Sequence, residues 1–106
     1  MATKPETVDY LKAQLAGVGD FRIKAMFGEY ALYLDEKLVA LICDDRLFVK
    51  KTKFGDATLG EGHDCPPYPG AKPSLLIPED KVADAEWLCS FVKTSASELA
   101  PSNRKQ

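Results

Sequence analysis

The sequence predicts a two-layer α+β domain with a mainly antiparallel sheet, and three observations predict it. Between Met26 and Lys50, three apolar stretches rich in Leu, Val, Ile, Tyr and Phe are separated by two acidic pairs, Asp35-Glu36 and Asp44-Asp45. Each stretch has strand length, and two-residue polar breaks between such runs read as tight hairpins. Helical spacing of apolar residues occurs before this meander, at Val8, Leu11, Leu15 and Val18, and after it, at Val82, Ala85, Leu88, Cys89 and Val92. Strands grouped together with helices at either end place the helices on one face of an antiparallel sheet. The expected order is helix, three-strand meander, short helix, one or two strands, helix.

The first helix is predicted over residues 5–17. Thr3-Lys4-Pro5-Glu6 fits a capping box with Pro in the first turn, and Gly17 and Gly19 can take the left-handed end. Phe21 to Ala25 leads into the meander, and Gly28 allows a bulge or a close backbone approach. With Asp35-Glu36 and Asp44-Asp45 as turn centres, Leu32 pairs with Val39 and Leu41 with Phe48. Alternation then gives a helix-covered face of Ala31, Tyr33, Leu38, Ala40, Ile42, Leu47 and Val49. The opposite face carries Tyr30, Leu32, Leu34, Val39, Leu41, Cys43 and Phe48, too apolar a set to be left in water, so it is expected either to serve for association or to lie under the 62–73 loop. A register slip of one residue would exchange members between the faces. Glu36 and Asp45 occupy positions where a tight turn prefers Gly, so the first turn is expected to exceed two residues.

Residues 52–59 form a predicted short helix ended by Gly60 and Gly62. Residues 62–73 form a loop with four prolines, Ser74 to Ile77 a short strand, and Pro78-Glu79-Asp80 the start of a last helix reaching about Thr94. The domain is expected to span residues 1–95. Residues 96–106, polar and containing Pro101, are expected to be a disordered tail.

Composition excludes several classes. The chain has 106 residues, one domain by length, and its 45% apolar content supports a single core. A net charge of −2 argues against holding nucleic acid mainly by phosphate contacts. No apolar run reaches membrane-spanning length, and the N-terminus has no secretory h-region. Cys43, Cys65 and Cys89 form no CxxC pair, which fits a reduced, cytoplasmic protein.

Candidate sites are few. His63-Asp64-Cys65 is at most half a metal site, because no second His exists and Cys43 and Cys89 fall in apolar patterns. No positioned base marks Cys89 as a nucleophile, so neither enzyme activity, nor a metal, nor a cofactor is expected. Lys50, Lys51 and Lys53, with Arg46, form a basic cluster able to touch an anion. Tyr30, Leu32, Val39, Leu41 and Phe48 are candidate partner contacts. So are Trp87 and Phe91, which point away from the predicted stripe of the last helix.

Met26-Phe27-Gly28-Glu29-Tyr30, Leu32-Tyr33-Leu34-Asp35, Leu41-Ile42-Cys43-Asp44 and Arg46-Leu47-Phe48-Val49-Lys50 together resemble the TfoX N-terminal domain family, as do Tyr68-Pro69 and Leu76-Ile77-Pro78-Glu79. The resemblance covers roughly residues 5–95, with Glu36 and Asp45 where the family typically has Gly. It implies a fold similar to secretion-chaperone-like domains. It also implies kinship with TfoX/Sxy regulators of competence genes, which act with a cyclic-AMP-dependent activator and usually carry a second, helical domain. It transfers no catalytic residue. The resulting expectation is a cytoplasmic protein-interaction module, with a protein partner or a second copy as its target. A small ligand-binding or enzymatic domain and a weak nucleic-acid binder are the alternatives.

Overall fold

The computed structural model describes residues 3–26, 29–60 and 62–99. The bulge expected at Gly28 and the tail from residue 100 lie outside the described residues. Six strands form one open sheet: β1 (Phe21–Met26), β2 (Glu29–Leu34), β3 (Lys37–Cys43), β4 (Arg46–Val49), β5 (Asp64–Cys65) and β6 (Ser74–Leu76). Their order is β1-β2-β3-β4-β6-β5, and every neighbour pair is antiparallel. The predicted α+β class holds. The lead-in segment is itself a strand, β1, and part of the Pro-rich loop supplies the edge strand β5.

Both acidic pairs form two-residue turns with positive φ at each centre: 52° and 68° at Asp35 and Glu36, 54° and 61° at Asp44 and Asp45. The longer first turn expected from Glu36 is therefore not seen. The right-handed twist of the flanking strands selects this turn, and Glu36 is held in it by the Leu34–Lys37 pairing.

The register corrects the two faces. Leu41 pairs with Phe48 as expected, but Leu32 pairs with Ala40, and Tyr33 with Leu38, so Val39 is an extra residue in β3. A bulge reverses the side-to-side alternation beyond it. Tyr30, Leu32, Leu34 and Val39 therefore turn toward the helices, and Ala31, Tyr33 and Leu38 turn outward. Ala40, Ile42, Leu47 and Val49 keep their predicted inner place, and Leu41, Cys43 and Phe48 their outer one.

Four helices are described: α1 (Pro5–Gln14), α2 (Lys53–Leu59), α3 (Glu79–Val82) and α4 (Ala85–Ser97). The first three each contact α4, and α4 lies on β3, so the helices form one layer. Leu11, Leu15, Val18, Leu88, Phe91, Val92 and Ala96 join Leu32, Leu34, Val39, Ile42, Val49, Leu75 and Ile77 in a single buried cluster.

Helix ends depart from prediction where a distant group competes for the backbone. Thr3 does not cap α1. Its hydroxyl donates to Glu29 at 2.6 Å, and the Asp45 carboxylate accepts from the Lys4 N–H at 2.8 Å and the Thr7 hydroxyl at 2.9 Å. α1 ends at Gln14 rather than residue 17, with Leu15 and Val18 buried through the turns that follow. The single last helix is two, because the Asp84 side chain accepts from the Trp87 N–H at 3.2 Å and starts α4 afresh. α4 then continues past Thr94 to Ser97. Glu98 accepts from the Lys53 and Phe54 N–H groups at 3.1 Å, and Leu99 packs on the core, so residues 96–99 belong to the fold.

Candidate functional site

Burial without helix cover marks the outer sheet face. Ala31, Cys43 and Phe48 are buried yet lie outside the helix-side cluster. Tyr33 on β2, Leu38 and Leu41 on β3 and Leu76 on β6 are half-buried around them. Cross-strand pairing places these residues on one face: Tyr33 with Leu38, Ala31 with Leu41, Leu41 with Phe48 and Phe48 with Leu76. Burial pushes the Cys43 thiol above its ordinary pKa, and the nearby Glu29 carboxylate adds to the shift.

Cations sit at the margins of this apolar floor. On β1, Arg22 pairs across from Tyr33 and Lys24 across from Ala31. The Arg22 guanidinium lies 4.9 Å from the Tyr33 ring centroid and 3.5 Å from Glu36. On β4, Arg46 lies 5.1 Å from the Phe48 ring centroid and 3.9 Å from Asp44. Lys50 follows Val49 on the same side by alternation, and its N–H donates to the Val39 carbonyl at 2.9 Å.

Of the predicted partner contacts, the structure brings Leu41 and Phe48 together on this face, with Phe48 only 1% exposed beneath Arg46. Leu32 and Val39 are core, and Tyr30 packs against that core. Trp87 and Phe91 are not an exposed pair. Phe91 is 1% exposed, and Trp87 is half-buried and stacked on it. The expected outward direction fails because α2 covers that side of α4, where the Phe54 ring lies 5.5 Å from Phe91. The stripe of α4 is Leu88, Phe91, Val92, Ser95 and Ala96.

The basic cluster does not converge on an anion. The Lys51 ammonium donates to Asp56 and Asp64, each at 2.9 Å, and these carboxylates raise its pKa. It ties α2 to β5. Lys53 is exposed at the start of α2, while Arg46 and Lys50 lie at opposite ends of the β4 edge of the outer face. His63-Asp64-Cys65 is sheet edge: Asp64 and Cys65 pair with β6, and the His63 carbonyl accepts from the Leu76 N–H at 2.9 Å. Among the described residues no three His, Cys, Asp or Glu side chains are grouped to hold a metal ion. None of the described helices is long and apolar enough to cross a membrane.

Sequence reasoning missed Tyr33, Leu38, Leu76, Arg22 and Lys24 as members of the outer face. The usable signal was the Leu-Val-Ala-Leu run in β3, whose unbroken apolarity leaves room for a bulge. It also missed an open groove of about 700 Å³ where α1, α3 and the ends of β4 and β6 meet, floored by Leu11, Leu47 and Ile77 and flanked by Tyr10, which is 47% exposed. Asp45 lines this groove, but its carboxylate is engaged by Lys4 and Thr7.

The profile of the TfoX N-terminal domain family matches residues 13–99. The chain is also 40% identical, over 85 residues, to an uncharacterised 12.7 kDa protein from the trpE 5′ region of Spirochaeta aurantia. That alignment covers 79% of this chain and 73% of the relative.

Proposed function

The chain belongs to the TfoX N-terminal domain family, and on that premise we propose that it is a regulatory domain that works by protein contact rather than by catalysis. One observation carries this reading: an apolar sheet face, built from Tyr33, Leu38, Leu41 and Leu76, lies opposite the face that packs against the helices. The four side chains are half-buried rather than fully exposed, and a contiguous apolar patch on a folded monomer is often an interaction site. The kinship with competence regulators supplies the regulatory setting, and the proposed place of action is the cytoplasm.

Complementation tests the proposal. The transcript profile of a strain lacking the gene is compared after return of the wild type, Leu38→Asp or Leu41→Asp. Both positions are half-buried on the outer face, and circular dichroism checks that each variant folds. The wild type is expected to restore the profile and both folded variants to fail. Full restoration by either folded variant, or no transcript change on deletion, overturns the proposal.

A further inference from the structure

The outer face has a width and a charge pattern, and both bear on what it takes. Its apolar floor runs along β2 and β3, the two strands between β1 and β4, and continues past Phe48 on β4 to Leu76 on β6. Neighbouring strands lie about 4.8 Å apart, so β1 and β4 are about 14 Å apart. An α-helix with its side chains is about 10–12 Å across. One helix therefore fits along β2 and β3, with its apolar stripe on Leu38 and Leu41.

Such a helix would have cations on both flanks. Arg22 and Lys24 line one side, Arg46 and Lys50 the other, and all four are exposed. The acids nearby are Glu29, Glu36 and Asp44, with Asp20 and Asp35 lining a small cleft beside Arg22 and Tyr33. Glu29 is engaged by the Thr3 hydroxyl and the Asp44 N–H. Glu36 and Asp44 sit in the turns, and their pairs with Arg22 and Arg46, at 3.5 and 3.9 Å, are exposed. Exposed pairs of this kind are worth little and yield readily to a better-placed carboxylate.

We infer that the outer sheet face binds an acidic amphipathic helix of a protein partner, laid along β2 and β3 between the basic margins of β1 and β4. This rests on the protein-contact reading above and adds the chemistry of the partner. A single-stranded nucleic acid fits less well. Base stacking needs open aromatic faces, whereas Tyr33 and Phe48 each carry a guanidinium at 4.9 and 5.1 Å. A second copy of the chain would set the same basic margins against each other.

Fluorescence anisotropy on the full chain tests the inference with three labelled probes. One is a synthetic helix of about 18 residues, five turns, with a Leu stripe flanked by Glu. The second has Lys for each Glu, and the third is oligothymidylate. The Glu helix is expected to bind at least about tenfold tighter than the Lys helix, with affinity falling as salt rises. The double reversal Lys24→Glu/Lys50→Glu, at exposed sites that leave the core intact, is expected to weaken the Glu helix at least about tenfold and strengthen the Lys helix. Equal binding of the two helices, indifference to the reversal, tighter binding of oligothymidylate, or a stable dimer that the Glu helix does not dissociate overturns it. If these outcomes occur while Leu41→Asp still fails in complementation, the acidic helix is wrong and the contact surface stands. If Leu41→Asp complements as well, both fall.

Discussion

The Trp87 indole lies flat on the Phe91 ring, with centroids 4.7 Å apart and planes 11° from parallel. Phe54 meets Phe91 at 5.5 Å, and the Lys81 ammonium lies 5.4 Å from the centroid of the indole. These contacts bind α2, α3 and α4 together around one buried ring. Phe91→Ala should cost about 3–5 kcal/mol, the usual loss for truncating a core aromatic. Urea denaturation measures it, and the emission of Trp87 should shift to the red in the folded variant. A loss under about 1 kcal/mol would show that the ring does not organise the helix layer.

Gly55 is a second packing point between α2 and the sheet. A Cβ there would lie 2.6 Å from Cδ1 of Leu75 and 3.5 Å from Cζ of Phe91. Ala is about 1 kcal/mol better than Gly in a helix interior. Leu75 is fully buried and has little room to move. Overpacking typically costs about 1–3 kcal/mol, so Gly55→Ala should lower the melting temperature despite the gain in propensity. A rise would mean that Leu75 can shift without cost.

The two hairpin turns separate backbone strain from side-chain contacts. Glu36 and Asp45 have matching backbone angles, φ 68° and 61°. Gly at either position relieves the left-handed conformation, worth about 1 kcal/mol. The Glu36 pair with Arg22 is exposed on both sides, so Glu36→Gly should cost less stability than Asp45→Gly. Asp45→Gly gains the same relief but removes the acceptor for Lys4 and Thr7, so it should destabilise. Equal effects of the two substitutions on thermal melting would refute this division.

The three thiols should differ in reactivity. Cys43 is buried and its pKa is raised, whereas Cys65 and Cys89 are half-buried. The Cys89 thiol donates to the Gln14 carbonyl at 3.3 Å. Alkylation followed by mass spectrometry, at mildly alkaline pH, should modify Cys65 first and Cys43 last. Early loss of Cys43 would mean that the outer face opens readily beside the β3–β4 turn.

The fold class was legible in the sequence because continuous apolar runs of strand length and helically spaced apolar residues occupy separate parts of this chain. The core was legible from Leu11, Leu15, Val18, Leu88 and Val92, all buried in it, although Leu15 and Val18 lie in the turns after α1. The outer face was half legible. Leu41 and Phe48 lie beyond the bulge and keep their predicted side, while Tyr33 and Leu38 lie before it and change sides. One inserted residue, Val39, moved the site because alternation carries no memory across a bulge. Helix ends were the least legible. Thr3 and Asp84 are both good caps by type, yet Thr3 is taken by Glu29 from a distant strand, while Asp84 caps a helix start that continuous apolar spacing concealed.

Acid should act on the joint between α1 and the β3–β4 turn. The Lys4 N–H, then the Thr7 hydroxyl, hold the Asp45 carboxyl below its ordinary pKa. The carboxylate also sits at the positive end of α1, which favours its charged form. A carboxyl whose pKa is lower folded than unfolded stabilises the fold at pH values above the ordinary Asp value, about 3.9. That contribution is lost as pH falls through the lower, folded value. Asp45→Asn keeps the shape and removes the titration. The wild type should therefore melt higher than the variant near neutral pH, and the gap between them should narrow as pH drops below about 4. Melting curves of both proteins across the acid range measure the gap. A difference that stays constant from neutral to acid pH would show that the charge of Asp45 does not fasten α1 to the sheet.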